Sequence, residues 1–523
     1  MNPGIWKLDD DPVDDRPTFL AHALAMSLRH GPGPWPEEAR TLPDVPPPAA
    51  EGDLFVPGAV MDGLRSHHFD IAPDALVVTE IADLLDRLAR GVPTRDDLLR
   101  LHERASEVSA LDIADDLVEQ IRLRRLSRKR IRDLGRHLAE HGTRRNAVKI
   151  GLVLIGACGD ERDRDLLLLL GSLEELTLYA AVALANTQPD RQRAMYELAR
   201  RVRGWGRIHA VERLRGCDDP EIKAWLLRDG FRNEVMNEYL AHVAATSGDL
   251  YSALLEPDVD DALLDGAADI LAALAQGGPA EDMSDYGDAL PVVARFAELL
   301  AGRRPTLQRL RGLLNVRDFV LRESADGGPW PADDIARLRR SYEERLTEPR
   351  WSDLVLAHLS DPRDADFHEA AWAAGSLRLP VVPRLVARLE IDPLDGFAWW
   401  TAIRQATPVE AELLCDLAAR LLPLPDLANG PGDIHDIGEE YAPDRALESV
   451  VGGLDAFPGV GLPLIRVALG NRINRLRRAA VTALAAWPAA AVPDEARDWV
   501  RRAAAIEPVE ETRAEMLAFL VPG

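Results

Sequence analysis

Residues 204–249, GWGRIHAVERLRGCDDPEIKAWLLRDGFRNEVMNEYLAHVAATSGD, concentrate the side chains best suited to recognition or proton transfer. His209 and Glu212 stand one helical turn apart, a spacing that serves acid/base work and ordinary surface contacts alike. Trp205 and Trp225 are large enough to anchor a partner, and Asn233 and Asn237 hydrogen-bond adaptably. In a helix over 207–215, Ile208, Ala210, Val211 and Leu214 define the apolar side at 100° per residue. Arg207 falls near its middle, so it must find a carboxylate or carbonyls, because an unpaired buried charge is expensive. Glu234 or Glu238, from a helix over 234–247, is the expected partner. His209, Glu212 and Arg213 then form a polar stripe, joined by Asn237 and by Trp205 at the helix entry. These five are the expected partner-binding residues.

Three further constellations carry possible chemistry. Residues 122–149 hold eleven Arg and Lys against Asp133 and Glu140, a basic stretch in an acidic chain. It suits a phosphate-bearing or acidic partner, but no aromatic residue is interleaved for base stacking. His137-Leu138-Ala139-Glu140-His141 has the H-x-x-E-H spacing of inverted zinc peptidases, since helical i, i+4 histidines can share one metal. The motif ends at Gly142 and has no identifiable third ligand. Asp433-Ile434-His435-Asp436, followed by Glu439-Glu440, offers oxygen and nitrogen ligands, but within a Pro/Gly-rich loop. The acidic run 258–269 lacks the glycine and spacing of a calcium loop. Trp351, Trp372, Trp399 and Trp400 read best as core. No catalytic residue, metal ligand or cofactor is assigned.

The elements that position these residues are helices. The chain has 523 residues, is 47% hydrophobic and 28% charged, and carries a formal charge of −25. Such a balance supports a sizeable core and opposes non-specific binding to nucleic acid or anionic membrane. Cys158, Cys217 and Cys415 lie far apart without a CxxC, which fits a reducing compartment. The acidic N-terminus has no signal-peptide pattern and no apolar run nears the ~20 residues of a membrane span, so a cytoplasmic protein is expected. Residues 31–58 hold eight prolines and read as a linker. From residue 74 onward, helical periodicity is nearly unbroken and no alternating strand appears.

Punctuation agrees with this reading. Thr407-Pro408-Val409-Glu410 is a capping box, Asp219-Pro220 opens another helix, and Thr94 with Asp97 is a weaker version. Gly91, Gly142, Gly159, Gly230 and Gly248 are expected left-handed C-caps. Helix starts recur every ~15–22 residues, so pairs recur within the solenoid range.

Several second helices are rich in paired alanines, above all Arg475-x-Arg477-Arg478-Ala479-Ala480-x-x-Ala483-Leu484. At these residues the chain resembles HEAT/armadillo-type repeat proteins, over about a third of its length. The resemblance implies an all-α, irregular HEAT-like solenoid and a scaffold. Residues 1–70 would be an N-terminal arm, 71–325 one helical-repeat region, and 326–523 a second. The function expected is non-enzymatic, with a protein or peptide bound on the concave face. The alternative is a nucleic-acid-binding or DNA-glycosylase-like HEAT protein using 122–149. Third stands a metal-dependent hydrolase through His137/His141 or His435.

Overall fold

The computed structural model describes residues 8, 13–45, 58–69, 75–326, 330–434 and 438–521. Within them the fold is all-α, without a strand. No described helix is long and apolar enough to cross a membrane. The chain divides into two compact units: Met1–Leu299 with Asp318–Ala332, and Leu300–Arg317 with Asp333–Gly523. Each holds helices stacked in pairs, compatible with a helical solenoid.

In the first unit α1 is Gly58–His68, α2 Ala75–Arg90, α3 Ala110–Leu123, α4 Arg145–Cys158, α5 Glu174–Thr187 and α6 Gly204–Glu212. Helices α2 to α6 form a row in which each packs on the next, and the helices between them pack alongside as a second row. Small residues allow the close approach: a Cβ on Gly135 would lie 2.9 Å from the Gly151 carbonyl oxygen on α4. Helix α1 lies across α5 and α6. In the second unit the row is α7 (Phe367–Ser376), α8 (Gly396–Gln405), α9 (Ala442–Val451), α10 (Asn474–Ala486) and α11 (Glu510–Leu520).

The capping boxes at Thr94/Asp97 and Thr407/Glu410 form as read, and Asp219 caps the helix that Pro220 opens. The five expected left-handed glycines do not form, for none has positive φ. Four of them are small for another reason. A Cβ would lie 3.3 Å from the Arg87 oxygen at Gly91, 2.3 Å from that of Leu138 at Gly142, 2.5 Å from that of Ile155 at Gly159, and 2.4 Å from that of Ala244 at Gly248. The preceding turn's carbonyl thus excludes a side chain at Gly142, Gly159 and Gly248 and crowds one at Gly91. At Gly230, within a π-turn over Leu226–Gly230, the Trp225 ring fills that space.

A continuous helix over 234–247 does not form either. The Asn233 side-chain oxygen accepts the N–H groups of Val235 and Met236, each at 2.9 Å. That local turn competes with helix, leaving a 3-10 turn at Asn237–Tyr239 and an α-helix only over Ala241–Ser247.

His102 illustrates a buried polar group that binds one form of itself. Its Nε2 accepts the Thr143 N–H at 3.2 Å, and burial pushes its pKa down to about 4. The unfolded chain, with an ordinary histidine pKa of about 6.5, binds a proton that the folded chain refuses. This group's contribution is therefore fully present above pH ~6.5 and is lost as pH falls toward 4, by an amount on the order of a few kcal/mol. Urea unfolding followed from pH 7 to 4 is expected to show a shallower fall in His102→Gln than in the wild type. Parallel curves would exclude His102 as a cause.

Candidate functional site

Helix α6 opens at Gly204, whose φ of 51° turns the chain so that the Trp205 N–H meets Glu174 Oε1 at 2.9 Å. Burial pushes the Glu174 carboxyl upward. The Trp205 indole lies over α1 at Gly63, where a Cβ would stand 2.2 Å from Cδ2 of the ring. Only glycine lets the two helices meet here. His67, one turn beyond Gly63, packs on the same ring with centroids 5.2 Å apart, and on His209 and Tyr239 at 5.4 and 5.6 Å. His67 Nδ1 donates to the Gly63 carbonyl at 2.9 Å, and Nε2 faces Glu212 Oε1 at 3.0 Å. The Glu212 carboxylate holds the His67 pKa above its ordinary value. Neighbouring His68 shares a 2.8 Å hydrogen bond with the Tyr239 hydroxyl. Burial takes His209 down to about 3.

This arrangement corrects the expected recognition edge. Trp205 and His209 are 3% and 4% exposed, because α1 covers the face that an isolated helical wheel leaves polar. Glu212, Arg213 and Asn237 are half-buried. Glu212 is engaged with His67. The Arg213 guanidinium donates to the His209 carbonyl at 2.6 Å, and burial lowers its pKa. Asn237 Oδ1 accepts the Asn233 N–H.

Arg207 does point inward, but to neither expected glutamate. Its Nε donates to the Val202 carbonyl at 3.0 Å, and Nη1 reaches the carbonyls of Asp229 and Arg232 and the Asp229 carboxylate at 3.3 Å. The π-turn carries Asp229 within reach. Glu234 pairs instead with Arg40 and Arg203 at 2.6 and 3.1 Å. Glu238 lies against the backbone at Gly278.

A groove of about 480 Å³ runs over the middle of the same row. Leu152, Val153, Gly156 and Ala157 of α4 form its floor, Leu111, Ala114 and Val118 of α3 one wall, and Leu178, Val182 and Asn186 of α5 the other. Gly156 lets α5 come close, since its Cβ would lie 3.1 Å from the Ala183 Cα. Val182 is 41% exposed, and Asp115 and Asp116 stand exposed on the rim. Asp112, also on the rim, is neutralised by Arg65 at 2.5 Å.

Several cations of the basic stretch 122–149 are paired with carboxylates. Arg122 pairs with Glu119, Arg124 with Asp83, Arg132 and Arg136 with Asp163, Arg145 with Asp44 and Glu175, and Lys149 with Asp62 and Glu175. Arg122, Arg125, Arg128, Lys129 and Arg144 remain solvent-facing.

Of the other constellations, His137 is buried and Glu140 pairs with Arg136. Among the described residues, two groups of three ligand-bearing side chains come within 4.8 Å, His67/His209/Glu212 and His358/Asp364/Asp366, and neither includes His137 or His141. His435 and Asp436 lie outside the described residues. Trp351 and Trp399 are core, whereas Trp400 is 46% exposed beneath the Arg404 guanidinium.

Fold and site together define an all-helical protein of stacked helix pairs, with a histidine-rich knot and an apolar groove on one row. The chain matches no family model, no curated protein and no solved structure.

The histidines of α1 escape a reading of the sequence because residues 1–70 resemble an arm. The available signal was GLRSHH at 63–68, a glycine one turn before paired histidines, but its meaning depends on Trp205 about 140 residues away.

Proposed function

We propose that the protein is a helical scaffold that binds a peptide or protein segment in the groove over α3, α4 and α5. The observation that carries this reading is the groove's composition: an apolar floor of Leu152, Val153, Gly156 and Ala157 under a rim holding the exposed carboxylates Asp115 and Asp116. Such a cleft accepts one or two aliphatic side chains, and its rim favours lysine or arginine beside them. Rigid helices set the geometry in advance, so little ordering is needed on the scaffold's side. A concave groove between helices suits an amphipathic helix or extended segment better than a flat protein face.

The test uses two labelled amphipathic peptides, one of leucine and lysine and one of leucine and glutamate, in fluorescence anisotropy. The lysine peptide is expected to bind and the glutamate peptide not. Val182→Arg, which fills the groove, should weaken the lysine peptide about tenfold or more, in line with loss of a buried contact. Asp115→Asn with Asp116→Asn should do the same, and Asp494→Asn with Glu495→Gln, on an exposed helix of the other unit, should not. Equal binding by wild type and Val182→Arg would show that net charge alone attracts the peptide, and the reading would fail.

A further inference from the structure

The groove leaves the knot between α1 and α6 without a role, and that knot has the layout of a metal centre. Its two α6 residues, His209 and Glu212, project from one face because they stand three residues apart. His67 arrives from α1 at their side. Nε2 of His67 and Oε1 of Glu212 are 3.0 Å apart, and one ligand atom from each of the three residues falls within 4.8 Å of the others. Ligands on one tetrahedral zinc at Zn–N of about 2.0–2.1 Å are separated by about 3.4 Å, so small side-chain rotations close the set.

Two details indicate a site shaped for a ligand. The first is the Nδ1–H of His67 bonded to the Gly63 carbonyl at 2.9 Å. That bond fixes the ring and leaves Nε2 as the coordinating nitrogen, the arrangement metal-binding histidines share. The second is His209, 4% exposed, whose ring packs on that of His67 with centroids 5.4 Å apart and so lies within reach of the same ion. His358, by contrast, ends the helix Pro349–His358, and Asp364 already accepts its Nδ1–H and the Asp366 N–H.

We infer that His67, His209 and Glu212 bind a divalent first-row transition ion of the zinc type and so pin α1 to α6. Two imidazoles and one carboxylate suit zinc and exclude calcium or magnesium, which require mostly oxygen donors. Arg213, the cation beside the site, is held off by its bond to the His209 carbonyl. With three protein ligands, a water completes the tetrahedron. Sequence alone assigns no ligand here, because His209 and Glu212 make a triad only with α1 in place.

The experiment titrates the chelator-treated full chain with zinc by calorimetry, and with cobalt(II) by visible absorption. The expected result is one ion per chain and cobalt bands of a four- or five-coordinate site with nitrogen ligands. His67→Ala and the isosteric Glu212→Gln should each weaken binding by at least the roughly 10–100-fold that even an outer-shell loss brings. His141→Ala should bind as the wild type does. Circular dichroism verifies folding, and if His67→Ala fails to fold, Glu212→Gln decides. Failure of the wild type to bind either ion, or wild-type affinity in Glu212→Gln, would overturn the site. Loss of binding in His141→Ala alone would move the ion to the H-x-x-E-H helix and overturn it equally. The groove peptides of the preceding section bind or fail independently of this result.

Discussion

Arg477→Met is expected to destabilise the second unit by about 3–5 kcal/mol, the range for breaking a buried ion pair from one side. Arg477 is fully buried on α10 and donates two parallel bonds, at 2.7 and 2.6 Å, to Glu507 in the turn between the helix Asp494–Ile506 and α11. A third bond reaches the Asn471 carbonyl at 2.9 Å. Glu507 is itself 3% exposed and accepts the Val509 N–H. Methionine fills the volume but strands the Glu507 carboxylate without water. The destabilisation therefore comes from the uncompensated charge, and Arg477→Met with Glu507→Met should recover much of it. Arg477→Lys should rescue poorly, since a point charge cannot reproduce the two-pronged geometry. Urea unfolding of the four proteins measures this. Equal loss in the single and double variants would show that the pair acts only through packing.

Lys149→Met should cost a similar amount in the first unit, again about 3–5 kcal/mol. Its ammonium, 3% exposed, lies 2.8 Å from Asp62 of α1 and 2.6 Å from Glu175 of α5, above the Tyr179 ring. The Tyr179 hydroxyl donates to the same Asp62, and Glu175 also accepts the Ala59 N–H. One cation thus holds two carboxylates, and both link α1 to the row. Glu175 keeps Arg145 at 3.3 Å after the substitution, but Asp62 keeps only the tyrosine. Hydrogen exchange should rise across 58–68 more than across α4 itself. Uniform change along the unit would mean that Lys149 supports the row and not the docking of α1.

What the sequence discloses follows from the range of the interactions involved. Periodicity and capping are local, so the all-α class and the boxes at Thr407 and Thr94 are legible. Arg207 is legible as inward-facing because its position among Ile208, Ala210 and Val211 is local too. Its true partners are not, because a π-turn at 226–230 and an Asn233 turn rearrange the backbone that would have carried Glu234. The basic look of 122–149 misleads for the same reason: Asp44, Asp62, Asp83, Asp163 and Glu175, which pair with five of its eleven cations, lie elsewhere in the chain. Trp205 and His209 are misread as exposed because α1, their cover, is attached only through contacts distant in sequence.

One recurring contact has a consequence for how loop lengths are constrained. Arg207, Arg309 and Arg477 each reach back five or six residues to a carbonyl in the loop before their own helix, at Val202, Arg304 and Asn471. A guanidinium has a fixed span, so these three loops are gauged like the gap in a caliper. Lengthening any of them by a single residue moves the measured carbonyl away and costs the buried guanidinium that bond. Turns that carry no such arginine lack this gauge.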